Sequence, residues 1–328
     1  MSLGAWEGDF DLIDQALVES AGTFRSPRMF DAEDTSAVSG TVSWKPVKSL
    51  WLSAMTVWAL VGGPIWFSWG ALALFLVATA VTICLGHSLG MHRRLIHRAF
   101  DCPPWLERLL VYLGTLVGMA GPFGMMRQHD IRDWAQRKAC CHPYLALAHR
   151  SSLCRDGFWQ LHCELKLAHP PEFVIERRVA TDYFYRFIER TWMAQQLPWA
   201  MLLFWIGGMP WLTWGIAVRV AASVTGHWLV GYFAHNRGPR SWHIEGAGVQ
   251  GHNVPYCGLV TMGEAWHNNH HAFPASARLG LRPGEIDPGW WVLVALSRAG
   301  LVWNIKTPDL LPRRPNLIPL AAHEGGRS

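Results

Sequence analysis

Two long apolar tracts constrain the fold of this chain more than any other feature. A helix needs roughly 20 mostly apolar residues to cross a hydrocarbon core about 30 Å thick. Residues 49–86 and 196–233 are each long enough for two such helices, and each tract is interrupted near its middle, by GGP at 62–64 and by GGMP at 207–210. We therefore predict an all-α integral membrane protein with four transmembrane helices arranged as two hairpins.

The basic residues predict the orientation of the hairpins. Of the 29 Lys and Arg residues, only Arg219 lies within a tract. By the positive-inside rule, the rest of the chain, including both termini, is expected on the cytoplasmic side. The expected organisation is a cytosolic N-terminal segment at 1–45, a membrane domain at 46–306 whose cytosolic helical cap comprises 87–195 and 234–306, and a C-terminal tail at 307–328. The first segment and the tail from Pro312 are expected to be loosely structured.

A third apolar region at 105–125 admits two interpretations. A fifth span there would put the histidines before and after it on opposite faces of the membrane. We therefore favour an in-plane or re-entrant segment, with a true fifth span as the alternative.

Charge and cysteine content exclude several classes of function. The net charge is +5, and no basic stripe is interleaved with aromatic residues, so membrane lipids are the expected partner and nucleic acid is not. The seven cysteines show no C-x-x-C spacing. Neither a zinc ribbon nor a disulfide framework is predicted.

Half of the sixteen histidines fall in four segments next to the apolar tracts. They are His87, His92, His97, His129, His235, His267, His270 and His271. Imidazole is a common metal ligand, and it is neutral near pH 7. A structural zinc site closes with about four ligands, so a larger set favours a centre with two metals and open positions, for which iron is the usual choice when oxygen is activated.

The spacing of these histidines has geometric consequences. On a helix, His267, His270 and His271 project from one face, which can place two ligands on one metal and the third on its neighbour. His92 and His97 diverge by about 140° on a regular helix. They therefore either flank two metals or lie where the helix unwinds.

Three segments resemble one known family, the membrane fatty-acid desaturases of the acyl-CoA delta-9 type. The first is HRRLIHRAF, from His92; the second is HWLVGYFAHNRG, which contains His235; the third is GEAWHNNHHAFP, from Gly263. The resemblance extends over roughly residues 45–306. It implies that the chain is a membrane non-haem iron oxidoreductase whose two irons use O2 to introduce a cis double bond into a saturated acyl chain.

The resemblance also implies the ligands and partners. The implied metal ligands are His92, His97, His129, His235, His267, His270 and His271. The acyl group would be carried by coenzyme A, a carrier protein or a lipid ester. Electrons would come from a separate donor of the ferredoxin or cytochrome type.

The second histidine segment departs from the family pattern. The family has His-x-x-His-His, whereas Arg132 and Asp133 follow His129 here, and Gly231 stands where the family has an asparagine. Asp133 shares a helix face with His129 and can replace a lost ligand. Three outcomes stay open: a complete two-iron site in which Asp133, alone or with His87, His142 or His162, fills in, a site with one weakened metal, or a remnant that binds metal poorly.

Other residues are expected to support this site. Metal-bound histidines usually donate their second N–H to a neighbouring oxygen, and the candidates are Glu264, Asn268 and Asp130. Candidates for binding the substrate head group are Arg93, Arg94 and Arg132. Two other functions remain open: an acyl or alkyl hydroxylase on the same histidine scaffold, and a non-catalytic membrane protein that binds metal or lipid.

Overall fold

The computed structural model describes residues 28–146 and 152–320, and this part of the chain is mostly helical. The helices are α1 (Pro46–Ile65), α2 (Trp69–Val81), the π-helix π1 (Thr82–Ile96), α3 (Pro104–Thr115), α4 (Pro122–Gln136), α5 (Leu153–His162), α6 (Arg177–Ala180), α7 (Tyr183–Thr191), α8 (Gln196–Leu212), the π-helix π2 (Thr213–Val218), α9 (Arg219–Asn236), α10 (His267–Ala272), α11 (Pro288–Arg298) and a 3-10 turn (Pro308–Leu310). The strands are β1 (Met29–Phe30), β2 (Gly40–Trp44), β3 (Cys163–Leu167), β4 (Glu172–Phe173), β5 (Trp242–Ile244) and β6 (Leu317–Pro319). They form three antiparallel pairs, β1 with β4, β2 with β3 and β5 with β6.

Within the described ranges, two helical stretches are long and apolar enough to cross a membrane, Trp69–Ile96 and Gln196–Asn236. The second contains a break, since Gly208 has φ 60° and ψ −153°. This conformation is open to glycine and not to other residues. The break lies where the sequence predicted it, within 207–210.

The predicted turn of the first hairpin, at 62–64, is wrong. The helix α1 continues through these residues, and the turn follows it, with the Ser68 Oγ accepting a hydrogen bond from Ala71 N at 3.1 Å. The glycines serve helix packing instead. A Cβ added to Gly62 would lie 3.2 Å from the Cγ2 of Thr213 in π2, so the two hairpins approach each other closely at this point.

The third apolar region forms a short helix that packs on π1. At 1.5 Å per residue, the 12 residues of α3 rise about 18 Å, which is too short to cross a membrane. A Cβ added to Gly86 would lie 2.3 Å from the backbone of Gly114, and one added to Gly90 would lie 2.5 Å from that of Leu110. The glycines of π1 therefore let α3 lie directly against it.

The described parts of both terminal segments are packed, contrary to our expectation. Arg28 is 1% exposed, and β2 pairs with β3 along its whole length. Near the other end, β6 pairs with β5, and Arg314 donates hydrogen bonds to the carbonyls of His271 and Ala272. Tertiary pairing orders segments whose local sequence shows no strong periodicity. The expectations for 1–27 and 321–328 fall outside the described residues.

Large apolar side chains cover the outer surface of the two hairpins. The most exposed are Leu50, Val57, Leu60, Val61, Ile65, Trp69, Leu76, Val77, Leu197, Met201, Phe204, Trp205 and Ile206. Exposed apolar side chains in this number are unfavourable in water and are typical of a membrane-contacting face.

Candidate metal centre

The π-helical geometry of π1 brings His92 and His97 together. The amide of His97 donates to the carbonyl of His92 at 3.0 Å, an i to i+5 hydrogen bond that defines a π turn. Residues five apart therefore lie over each other, and the two ring centroids are 4.8 Å apart. The divergence of about 140° that a regular α-helix predicts is absent, so both rings serve one cluster.

The first cluster contains four histidines from three helical regions. We call it the four-histidine cluster: His92, His97, His129 from α4 and His270 from α10, each with a ligand nitrogen within 4.8 Å of the others. The Nε2 atoms of His97 and His129 are 3.1 Å apart. Four converging imidazole nitrogens form a donor set that suits zinc, iron or copper.

The second cluster contains three histidines. This three-histidine cluster comprises His235, near the end of α9, with His267 and His271 from α10. The Nε2 of His267 lies 3.1 Å from that of His235 and 2.9 Å from that of His271. The helix α10 therefore divides its histidines between the clusters, with His270 in one and its two neighbours in the other.

The contacts of the outward-facing ring nitrogens with carboxylates indicate which of the two nitrogens in each ring is available to a metal. His129 Nδ1 lies 3.1 Å from Asp130 Oδ1, and His92 Nδ1 lies 2.6 Å from Glu264 Oε2. A ring whose Nδ1–H is bound to oxygen presents the Nε2 lone pair on its other side. Neighbouring lone pairs repel one another in the absence of a cation. The donor sets of both clusters therefore fit metal ions.

Burial favours the uncharged form of several rings of this centre. Burial and then the neighbouring imidazoles lower the pKa of His267, His270 and His271 well below the usual range. The same two causes lower the pKa of His97. Neutral imidazole is the form that binds metals.

Asp133 and His87 lie beside the centre without joining either cluster. Asp133 Oδ2 accepts a hydrogen bond from Arg137 at 2.9 Å, one helical turn further along α4. His87 packs against His227, with ring centroids 4.8 Å apart. Of the two other fill-in candidates, His142 contacts Tyr144 and His162 contacts Ser49. The structure therefore pairs Asp133 with Arg137, and coordination of a metal by Asp133 stays a prediction.

The supporting candidates have distinct surroundings. Besides His92, Glu264 accepts a hydrogen bond from Ser88 at 2.6 Å. Asp130 contacts His129 and also accepts from Arg28 at 3.0 Å. Asn268 makes its four side-chain hydrogen bonds to the backbone of residues 241–251, so it fixes that loop against α10.

Two of the three head-group candidates are held in internal ion pairs. Arg93 is 1% exposed and is bound to Asp287 at 2.8 Å, and Arg94 is bound to Glu107 at 2.7 Å. These pairs hold π1 in the cap and argue against a role in binding substrate. Arg132 faces the cavity and donates to Gln160 at 2.9 Å.

A cavity joins both clusters. Its wall contains six of the seven clustered histidines, all except His97, together with His87, Ile96, Met125, Gln128, Arg132, Asp133, Gln136, His227, Val230, Gly231 and Glu264. Apolar side chains from π1, α4 and α9 therefore lie beside the metal-binding nitrogens. An apolar chain and a polar metal centre can meet in this cavity.

Three residues of the centre were missed in the sequence. His227 is the first residue of the HWLVGYFAHNRG segment and precedes His235 by about two helical turns in α9, but it was not singled out as a candidate. Arg28 is far away in the chain from Asp130, which it binds. Gln136 lies one turn after Arg132 on α4, and its Oε1 is 3.1 Å from the Nε2 of His235. The i, i+4 relation of Arg132 and Gln136 was the only available signal.

Comparison with known proteins adds an independent line of evidence. The chain is 32% identical over 247 residues to the sn-1 stearoyl-lipid 9-desaturase of Anabaena variabilis, covering 74% of this chain and 86% of the relative. It is 32% identical over 260 residues to the Delta-9 acyl-lipid desaturase 2 of Arabidopsis thaliana, covering 76% and 80%. It is 31% identical over 271 residues to the Acyl-CoA 5-desaturase AL21 of Anemone leveillei, covering 78% and 80%.

No protein-family model matches the chain. The relatives nevertheless cover most of its length at about one identical residue in three, and all three are named as desaturases. Their names support an oxidoreductase of lipid metabolism, and the two histidine clusters are groups that can hold metal. The chain therefore belongs to the fatty-acid desaturase family.

Proposed function

We propose that the protein introduces a cis double bond into a saturated acyl chain at a two-iron centre held by the four-histidine and three-histidine clusters. In the balanced reaction, a –CH2–CH2– pair, O2, two electrons and two protons give –CH=CH– and two water molecules. The convergence of seven histidines, four buried and three partly buried, into two adjacent clusters carries this proposal. The desaturase relatives support it.

The residues of the chain have separate roles in this proposal. Bound iron, with O2, would supply the oxidising power to remove hydrogens from an unactivated methylene pair. His92, His97, His129 and His270 would hold one ion, and His235, His267 and His271 would hold the other. Glu264 and Asp130 orient ring nitrogens, which fixes the direction of the metal-binding lone pairs.

The cavity would receive the acyl chain. Ile96, Met125 and Val230 provide apolar contacts near the clusters and exclude water from them. The acyl group would be carried by coenzyme A, a carrier protein or a lipid ester, and the named relatives include acyl-lipid and acyl-CoA enzymes. A separate donor of the ferredoxin or cytochrome type would deliver the two electrons.

The proposed membrane arrangement follows from the two hairpins. Four helical segments would cross the bilayer, and the cap, with both termini, would lie on the cytoplasmic side. The exposed apolar side chains of α1, α2 and α8 support this arrangement. Cysteine-labelling of single sites in the cap, for example at position 127, tests the orientation, and labelling from the opposite side would contradict it.

The activity is tested in a host that cannot make unsaturated lipids. Cells expressing the chain, with iron and an electron donor supplied, are expected to accumulate a cis-unsaturated fatty acid that mass spectrometry detects. His97→Ala, which lacks a ligand of the four-histidine cluster, is the matched inactive control. A hydroxylated product, or unchanged fatty acids despite full iron loading, would contradict the proposal.

A further inference from the structure

Gln136 is held rigidly at the edge of the three-histidine cluster. It is the last residue of α4, and it is 2% exposed. Its Nε2 donates a hydrogen bond to the carbonyl of Leu145 at 2.8 Å. That bond fixes the amide, because the reversed amide would put its oxygen against another oxygen. The Oε1 atom therefore points at His235.

The contact between Gln136 and His235 joins two hydrogen-bond acceptors. His235 Nδ1 lies 2.8 Å from the Gly231 carbonyl oxygen, which can only accept, so this nitrogen carries the hydrogen. In the neutral ring, Nε2 then carries a lone pair. It faces Gln136 Oε1 at 3.1 Å and His267 Nε2 at the same distance. A metal ion bound by all three atoms removes this repulsion.

The spacing of these atoms suits common metal–ligand distances. Ligands about 2.1 Å from one ion and at right angles to each other lie about 3.0 Å apart. The contacts of His235 Nε2 with Gln136 Oε1 and His267 Nε2, and that between His267 and His271, measure 3.1, 3.1 and 2.9 Å. The distance from Gln136 Oε1 to the nearest histidine nitrogen thus matches the distances between the nitrogens of the three-histidine cluster.

We propose that Gln136 Oε1 is the fourth protein ligand of the three-histidine cluster. It supplies from α4 a donor that Arg132 cannot provide, because a guanidinium has no lone pair for a metal. The two metal positions then differ, with four imidazole nitrogens in one and three nitrogens and one amide oxygen in the other. This inference rests on the proposed two-metal centre.

The test measures metal binding rather than activity. The full-length protein in detergent is loaded with Fe²⁺ without oxygen, and iron per chain is measured together with affinity against a competing chelator. The variants are Gln136→Leu, which removes the donor oxygen at similar volume, and Gln136→Glu, which keeps an oxygen ligand. Gln128→Ala, on the same helix and in the same cavity, is the matched control.

We expect about two irons per chain in the wild type, in Gln136→Glu and in Gln128→Ala. In Gln136→Leu, the weaker of the two iron affinities should fall on the order of 100-fold, the upper end of what loss of a supporting group costs a metal site. His267→Ala removes a histidine from the three-histidine cluster, so the iron affinity that falls in this variant is the affinity of that cluster.

Two results would overturn the inference. One is wild-type affinity and stoichiometry in Gln136→Leu while His267→Ala loses an iron, which would limit Gln136 to its structural hydrogen bond. The other is a His267→Ala protein that retains both irons, which would remove the three-histidine site itself. Two tightly bound irons in a protein that forms no double bond would instead contradict the proposed function and leave the role of Gln136 intact.

Discussion

The two clusters lie side by side, but they are built differently. The four-histidine cluster draws two ligands from π1 and the residue that follows it. The ion pair of Arg28 with Asp130 and the contact of His92 with Glu264 hold its surroundings. The three-histidine cluster draws on α9 and α10 and is bordered by Arg132 and Gln136. This contrast shows that one half of such a centre can have fewer imidazole groups than the family pattern while the other half keeps four.

Removing one histidine from each cluster should produce the largest effects. We expect His270→Ala and His271→Ala each to reduce desaturation at least about 100-fold, since a lost ligand costs more than a lost supporting group. His270→Ala leaves three imidazole ligands in its cluster, whereas His271→Ala leaves two imidazoles and the neutral amide oxygen proposed for Gln136. Iron affinity should therefore fall more in His271→Ala, which chelator competition measures. Equal losses of iron affinity in the two variants would contradict the proposed difference between the clusters.

The next prediction concerns Arg28, which supports one cluster only. Arg28→Met leaves the buried carboxylates of Asp130 and Glu176 without this partner, so the free energy of unfolding should fall by about 3–5 kcal/mol. Because Asp130 contacts His129, iron affinity at the four-histidine cluster should fall roughly 10-fold to 100-fold.

Thermal unfolding and stepwise iron titration measure the two effects of Arg28→Met. Arg108→Met is the control, because its pair with Asp182 is exposed on the arginine side and should contribute less than about 1 kcal/mol. Loss of iron from the three-histidine cluster instead would show that Arg28 acts through the whole cap.

A pH-dependent contribution to stability is expected at Glu107, which binds Arg94 of π1. Burial by itself raises the pKa of Glu107. Hydrogen bonds from Arg178 and Tyr185, together with the positive charges of Arg94 and Arg178, lower the pKa by more than burial raises it, so the pKa lies below its usual value. A carboxyl with a lowered pKa stabilises the folded state above its unfolded pKa, about 4.3, and this contribution disappears as the pH falls through the folded pKa.

Unfolding of metal-free protein at several pH values measures this contribution. Glu107→Gln should be less stable than the wild type at pH 7, and the difference should shrink as the pH falls below about 4. The exposed Glu245, replaced by Gln, is the control. A difference that is independent of pH would mean that the packing of Glu107 matters and its charge does not.

The smallest effect on metal binding is expected at Asp133. Because its carboxylate binds Arg137 outside both clusters, Asp133→Ala should keep about two irons per chain while its melting temperature falls. Elemental analysis and thermal unfolding measure the two quantities. Loss of one iron with the fold intact would restore Asp133 as a ligand.

The features that depend on local composition and spacing could be predicted from the sequence. The apolar tracts, the break near Gly208 and the division of His270 and His271 between two histidine clusters follow from hydrophobicity and helical periodicity. The turn at 62–64 was wrong because the same glycines also serve close packing, as the contact of Gly62 with Thr213 illustrates. In a sequence, a pair of glycines does not distinguish a turn from a close contact between helices.

The missed features depend on contacts between distant parts of the chain. Arg28 reaches Asp130 and Glu176, which are far from it in sequence, so no local pattern predicts that network. Gln136 was missed because an amide is an uncommon metal ligand, and only the fold reveals the histidine that its oxygen faces. Asp133 was favoured by charge and spacing, and Arg137 competes for it.

The π-helical winding of π1 changes what the number of residues between His92 and His97 means. In an α-helix, two side chains share a face at an interval of four, and in π1 the interval is five. Deleting one residue between His92 and His97 would therefore keep both rings on one face only if the helix also tightened to the α form. The number of residues between these two ligands thus specifies the winding of the backbone, information that hydrophobicity along this segment does not contain.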